Sequence, residues 1–278
     1  MLVYYPGYRE FQLSRIGASD AMMALLVSSR LARHTLTLNE EATLRLPQIF
    51  PRVPEIRRLD RTVADTQALI DAAERHLAYM AIPYALSVYG ALVVDALLLL
   101  NRESKYSGKD PEKLTGGELH NSLKGATGQD LPSIESELYM YTNETRNRII
   151  HHAATGSTAL LRRFIQLTPP ARRTWEKMSR RPLAPPGHGM PLELESPELI
   201  AVLALTNRLA QAVNRTLQTT LSRPTWALVA VEDFRDTHRR KWNDPGRRER
   251  SLRGYIRQLY GPLSLNEAEI SAGERATH

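Results

Sequence analysis

Within ten residues, Asn143-Glu-Thr-Arg-Asn-Arg-Ile-Ile-His-His152 brings together an amide, a guanidinium and an imidazole. On a helix each residue turns about 100°, so Asn143, Asn147 and His151 stack along one face at four-residue steps. Arg146 lies about 140° from His151 by the same arithmetic, within reach of a long side chain. An imidazole exchanges protons near neutral pH and can act as base or acid. A guanidinium grips phosphate with a planar, permanently charged fork. Together these groups match what 2′-OH attack on an RNA phosphodiester requires. One proton must leave the attacking oxygen, one must reach the 5′-oxygen, and charge gathers on the phosphate. The same residues would also suit a plainer arrangement, with Arg146 in a surface ion pair and His151 facing the negative helix end.

The elements that must position this run are helical. Ile134, Leu138, Tyr141, Thr145, Ile149 and His152 recur at three- and four-residue steps, which predicts a helix from about Pro132 to a stop near Gly156. On that spacing His152 falls on the apolar stripe, a packing position. Upstream, residues 62–100 read as helix throughout, bent or divided at Pro83. Ser104–Gly117 is polar and glycine-bearing, hence a loop, followed by a short helix over Glu118–Lys124 and a turn at Gly128. Asp95 stands inside the apolar helix, where a carboxylate needs a partner such as Arg146, or else water at a bundle end. His76, His120 and His188 stand singly and read as solvated.

Ala78–Leu100 is long enough to cross a bilayer. It holds Pro83, Gly90, three tyrosines and Asp95, and a mid-membrane Asp costs roughly 2.5–3.5 kcal/mol. A buried central helix is equally apolar on all sides, so no membrane partner is expected. The chain of 278 residues has no cysteine, which excludes disulfides and cysteine-ligated zinc and makes a reducing cytoplasm the simplest setting. The N-terminus has no basic region leading into an apolar one, so no signal peptide is read there. No cofactor is expected, nor a metal site: adjacent His151 and His152 point to different sides of a helix.

The motif stretch resembles the HEPN domain, in which an Arg, a polar residue just after it, and a His separated from the Arg by four to six residues mark ribonucleases. Arg146, Asn147 and His151 match those three positions. A long apolar helix upstream, a loop, and a motif helix ending near a glycine also match, over roughly residues 62–165. The resemblance implies an all-α, HEPN-like helical bundle with extra N- and C-terminal helices. It implies a metal-independent endoribonuclease of toxin or antiphage type that leaves a 2′,3′-cyclic phosphate. His151 would move the proton, Arg146 would steady the phosphorane, and Asn147 would orient phosphate or imidazole. It also implies a homodimer whose two His151 side chains face one another across a shared basic cleft. An antitoxin or regulatory protein would be a further partner.

Around this core, residues 1–60 read as an N-terminal extension, with a helix over Ala18–Arg33. Thr35-Leu-Thr-Leu and Thr43-Leu-Arg-Leu then suit either a small hairpin or a short helix capped by Asn39. The HEPN-like core spans 61–167. Residues 168–195, inside a stretch with seven prolines, read as a Pro/Arg-rich loop. C-terminal helices follow over 196–262, opened by Ser196-Pro197-Glu198, and a flexible tail over 263–278. Arg235–Arg257 carries nine basic residues against three acids, which is +6 of the chain's +7. Its Arg239, Arg240 and Lys241, with Arg148 in the motif run, are candidate RNA contacts, and Trp242 and Tyr255 are candidate stacking platforms. A different class of function uses the same basic region without catalysis, as a HEPN-like nucleic-acid-binding or regulatory module.

Overall fold

A computed structural model describes residues 1–38 and 43–277. The chain is all-α, 76% helix and 1% strand. Among the described residues the only β pairings are the isolated bridges Arg45–Thr62 and Thr155–Pro191.

The order begins with α1 (Pro6–Thr37) and α2 (Leu46–Ile49), then a 3-10 turn at Pro54–Leu59 and the long α3 (Val63–Asn101). A 3-10 turn at Pro111–Lys113 leads to α4 (Gly116–Thr127), α5 (Ser133–His151), α6 (Thr158–Gln166) and α7 (Pro169–Ser179). The C-terminal part holds α8 (Ser196–Thr220), α9 (Arg223–Thr237), α10 (Arg239–Trp242), α11 (Pro245–Leu259) and α12 (Glu267–Thr277).

α3 is the hub. Pro83 sits inside it, yet the helix is continuous from Val63 to Asn101. α1 and α8 pack along α3, and α4 and α5 pack against it as well. Ile82, Tyr89, Leu92, Val93, Leu97 and Leu100 are buried there. α3 is long and apolar enough to cross a bilayer, with 44% of its most apolar window buried by the rest of the chain.

Several expectations need correction. The N-terminal extension packs onto the core: Val3, Tyr5, Tyr8 and Phe11 are buried in it, and Asn214 on α8 holds both backbone groups of Val3 at 3.1 and 2.7 Å. Thr35–Thr37 ends α1 rather than forming a hairpin. The alternative cap at Asn39 lies outside the described residues. Residues 169–179, read as loop, form α7. Its prolines occupy the first turn, where the missing N–H costs nothing, and Thr168 caps the end. The α8 cap is Glu195, one residue before Ser196, paired with Glu198 in a capping box.

Over its described residues the tail is largely helical rather than flexible. Asn266 and Glu269 cap α12 reciprocally, at 3.0 and 2.7 Å. Gly273 lets α12 approach α9 so closely that a Cβ there would lie 3.0 Å from the Ala227 backbone.

Candidate active site

α5 owes its placement to its buried face: Leu138, Tyr139, Tyr141, Thr142 and Thr145 point into the core. The opposite face, carrying Asn143, Arg146, Asn147 and His151, is left at the wall of a groove of about 810 Å³. α3 forms the other wall through Leu86, Gly90 and Val94, and the start of α4 forms the floor through Thr115 and Gly116. The absence of side chains at Gly116 and Gly117 keeps that floor open. A Cβ at Gly116 would collide with Asn143 Oδ1. The Thr115–Glu118 capping box fixes the turn, with Glu118 accepting from both N–H and hydroxyl of Thr115 at 2.8 Å.

Three motif residues thus share one concave surface. Arg146 Nη1 donates to Asn147 Oδ1 at 3.2 Å, so the amide aims the guanidinium along the groove. His151 is exposed at the groove edge. Glu144 is the one carboxylate in the lining and Arg146 the one arginine. Within one chain the groove lining therefore balances one guanidinium against one carboxylate.

The motif helix ends sooner than its spacing suggests. α5 stops at His151, and Ala153 and Ala154 follow in left-handed backbone (φ 48° and 54°). For residues with a Cβ that conformation costs roughly 1–2 kcal/mol each. His152 leaves the stripe and stands exposed beside His151, ring centroids 6.4 Å apart, so it lines the groove instead of packing in the core. Arg148 is committed to this bend: Nε donates to Thr155 O at 2.7 Å and Nη2 to Thr155 Oγ1 at 3.1 Å. It braces the chain behind His151 and does not line the groove. Gly156 is no helix stop. Its N–H donates to Met190 O at 2.8 Å, and any side chain there would strike the Gly187 carbonyl.

Asp95 does not meet Arg146. It faces the first turn of α1, where its carboxylate lies against Gly7. Burial and the nearby Glu10 raise its pKa above the ordinary carboxylate value.

His120, read as solvated, is largely enclosed. Its Nε2 lies 2.8 Å from the Tyr89 hydroxyl, and its ring stacks on Tyr139 at 4.0 Å between centroids. Burial lowers its pKa to about 4 and pushes Tyr139 up to about 12. The Tyr139 hydroxyl in turn donates to Gly116 O at 3.1 Å. His120 therefore supports the groove floor as a neutral ring. The unfolded chain takes its proton near pH 6.5 and the folded chain only near 4. Stability from this site is complete above about pH 6.5 and is lost as pH falls toward 4. Denaturant melts across that range should show a decline that His120→Phe flattens. An unchanged slope would contradict this role.

The C-terminal basic residues lie elsewhere. Arg239, Arg240 and Lys241 are exposed on α10, and none lines the groove. The two aromatics are not free to stack on bases. Trp242 is buried beneath Arg248, and Tyr255 packs edge-on to Phe234 and His238. Part of the positive charge is matched by acids, including Glu267 and Glu274 of α12.

Among the described residues no three His, Asp or Glu side chains converge on a metal-sized site. Comparison with protein-family models, curated proteins and solved structures found no match.

Proposed function

We propose that this chain is a HEPN-type endoribonuclease acting within the cell as a toxin or antiphage effector, with RNA as substrate. The observation that carries the reading is the convergence of Arg146, Asn147 and His151 on one groove at the end of α5. RNA enters beside Gly116 and Gly117, which add no side chain to the floor. Arg146 holds the scissile phosphate, steered by Asn147, and stabilises the charge that builds on its oxygens. His151 takes the proton of the 2′-OH or delivers one to the 5′-oxygen. A second chain facing the groove would supply the complementary histidine and a second arginine. The left-handed bend behind His151, clamped by Arg148, fixes the histidine at the rim.

The reading is tested by incubating purified protein with a mixed-sequence RNA in excess EDTA. It predicts cleavage that survives the chelator and products ending in 2′,3′-cyclic phosphate and 5′-OH. Cleavage that needs added magnesium would refute it.

Arg239, Arg240 and Lys241 would contribute affinity, not chemistry. Among the described residues they make no ion pair with an acid. Neutralising all three should weaken RNA binding and flatten its salt dependence by about 2 units of slope, at roughly 0.7 per single-strand phosphate. A binding curve and slope like those of the wild type would make α10 an ordinary solvated surface.

A further inference from the structure

α1 is apolar on two opposite faces. Tyr8, Phe11, Met22, Leu26 and Leu36 are buried toward α3 and α8. On the other side Ile16, Met23, Val27, Leu31 and Leu38 are 46–70% exposed. At 100° per residue these five fall on one stripe with Asp20 and His34, both exposed. An isolated exposed leucine needs no explanation, but a continuous stripe along more than twenty residues marks a surface built for contact.

The order of the stripe says what covers it. Ile16, Asp20, Met23, Val27, Leu31, His34 and Leu38 are spaced four, three, four, four, three and four. Leu13, also exposed, continues the stripe on its N-terminal side; from Ile16 to Leu38 the series reads the same from either end, with Val27 at its centre. Laid antiparallel on itself about Val27, the stripe sets Val27 on Val27, Met23 on Leu31, Ile16 on Leu38, and its one acid, Asp20, on its one basic group, His34. A parallel pairing would set Asp20 on Asp20 and His34 on His34. The stripe repeats every 11 residues, or 3.67 per turn, so it drifts about 20° per repeat, which two helices follow with a slight right-handed supercoil. Gly17, Ala21, Ala24 and Ser28 run beside it and let the two backbones come close.

We infer that α1 forms a two-fold, antiparallel interface with α1 of a second copy of this chain, centred on Val27. A closed two-fold contact requires such self-complementarity, in which residue i meets j and j meets i. The interface is separate from the groove on α3, α4 and α5 and does not rest on its chemistry.

The chain has no cysteine, so single cysteines report register without background. Under mild oxidation V27C should cross-link to itself in high yield. M23C alone should not, because the two Met23 positions would be about 12 Å apart along the axis, too far for a disulfide. Mixing M23C with L31C should give the heterologous cross-link. Self-linking of M23C with no M23C–L31C product would mean a parallel pairing and overturn the register. Sedimentation equilibrium adds an independent reading: V27E should halve the assembled mass while circular dichroism stays unchanged. A wild-type mass of one chain, or a mass that V27E leaves as it was, would overturn the interface and assign the stripe to another partner.

Discussion

Replacing His151 by alanine is expected to lower RNA cleavage by about 10²–10⁴-fold, the range that general acid–base assistance supplies. His151 is exposed at the end of α5 and is not part of the hydrophobic core, so the variant should melt within about 0.5 kcal/mol of the parent. Arg146→Ala should cost a similar order, about 10²–10³-fold, because a guanidinium aimed at developing phosphate charge acts mainly in the transition state. Arg146→Lys should recover only part of it, since an ammonium cannot reproduce the bidentate fork. Single-turnover cleavage rates separate these effects from binding. Full activity in either alanine variant would remove that residue from the chemistry.

The second large effect concerns the fold. Arg9, near the start of α1, donates to both carboxylate oxygens of Asp233 on α9, at 2.7 and 2.6 Å. Tyr260 donates to the same carboxylate at 2.7 Å. The Asp233 side chain is 3% exposed, so removing Arg9 strands a buried charge. Arg9→Ala should therefore cost about 3–5 kcal/mol, a large share of a stability on the order of 5–15 kcal/mol. Replacing both partners, as Arg9→Met with Asp233→Asn, should recover most of the loss, because the penalty lies in the unpaired carboxylate. A shift in denaturant midpoint equivalent to less than 1 kcal/mol for Arg9→Ala would contradict this assignment.

The all-α architecture was legible in periodicity. α3, α5, α8 and α11 all follow apolar spacing or caps visible in the chain. The groove was legible in part: Asn143, Arg146, Asn147 and His151 share it because four-residue steps on one helix face survive any tertiary context. What escaped depended on packing. The role of His120 rests on Tyr89 and Tyr139, which come from helices distant in sequence. The direction of Asp95 depends on which side of α3 receives α1. Arg148 and His152 diverged from expectation because the helix ends at His151 through two left-handed alanines, a bend that residue types do not announce.

Other signals were present and outweighed by composition. Asn266-x-x-Glu269 and Thr168-Pro169-Pro170 are both helix starts, yet a polar tail and a proline-rich run read as loop. The basic count over Arg235–Arg257 likewise overstated free charge, since α12 brings acids to it.

In the proposed mechanism the ribose 2′-OH attacks its own phosphate under Arg146 and His151. A single 2′-deoxy substitution at a mapped cleavage site tests it most directly. This one change should abolish the cut at that position, leave neighbouring cuts in place, and leave RNA affinity within about twofold. Undiminished cleavage at the deoxy position, giving 3′-OH and 5′-phosphate ends, would contradict it.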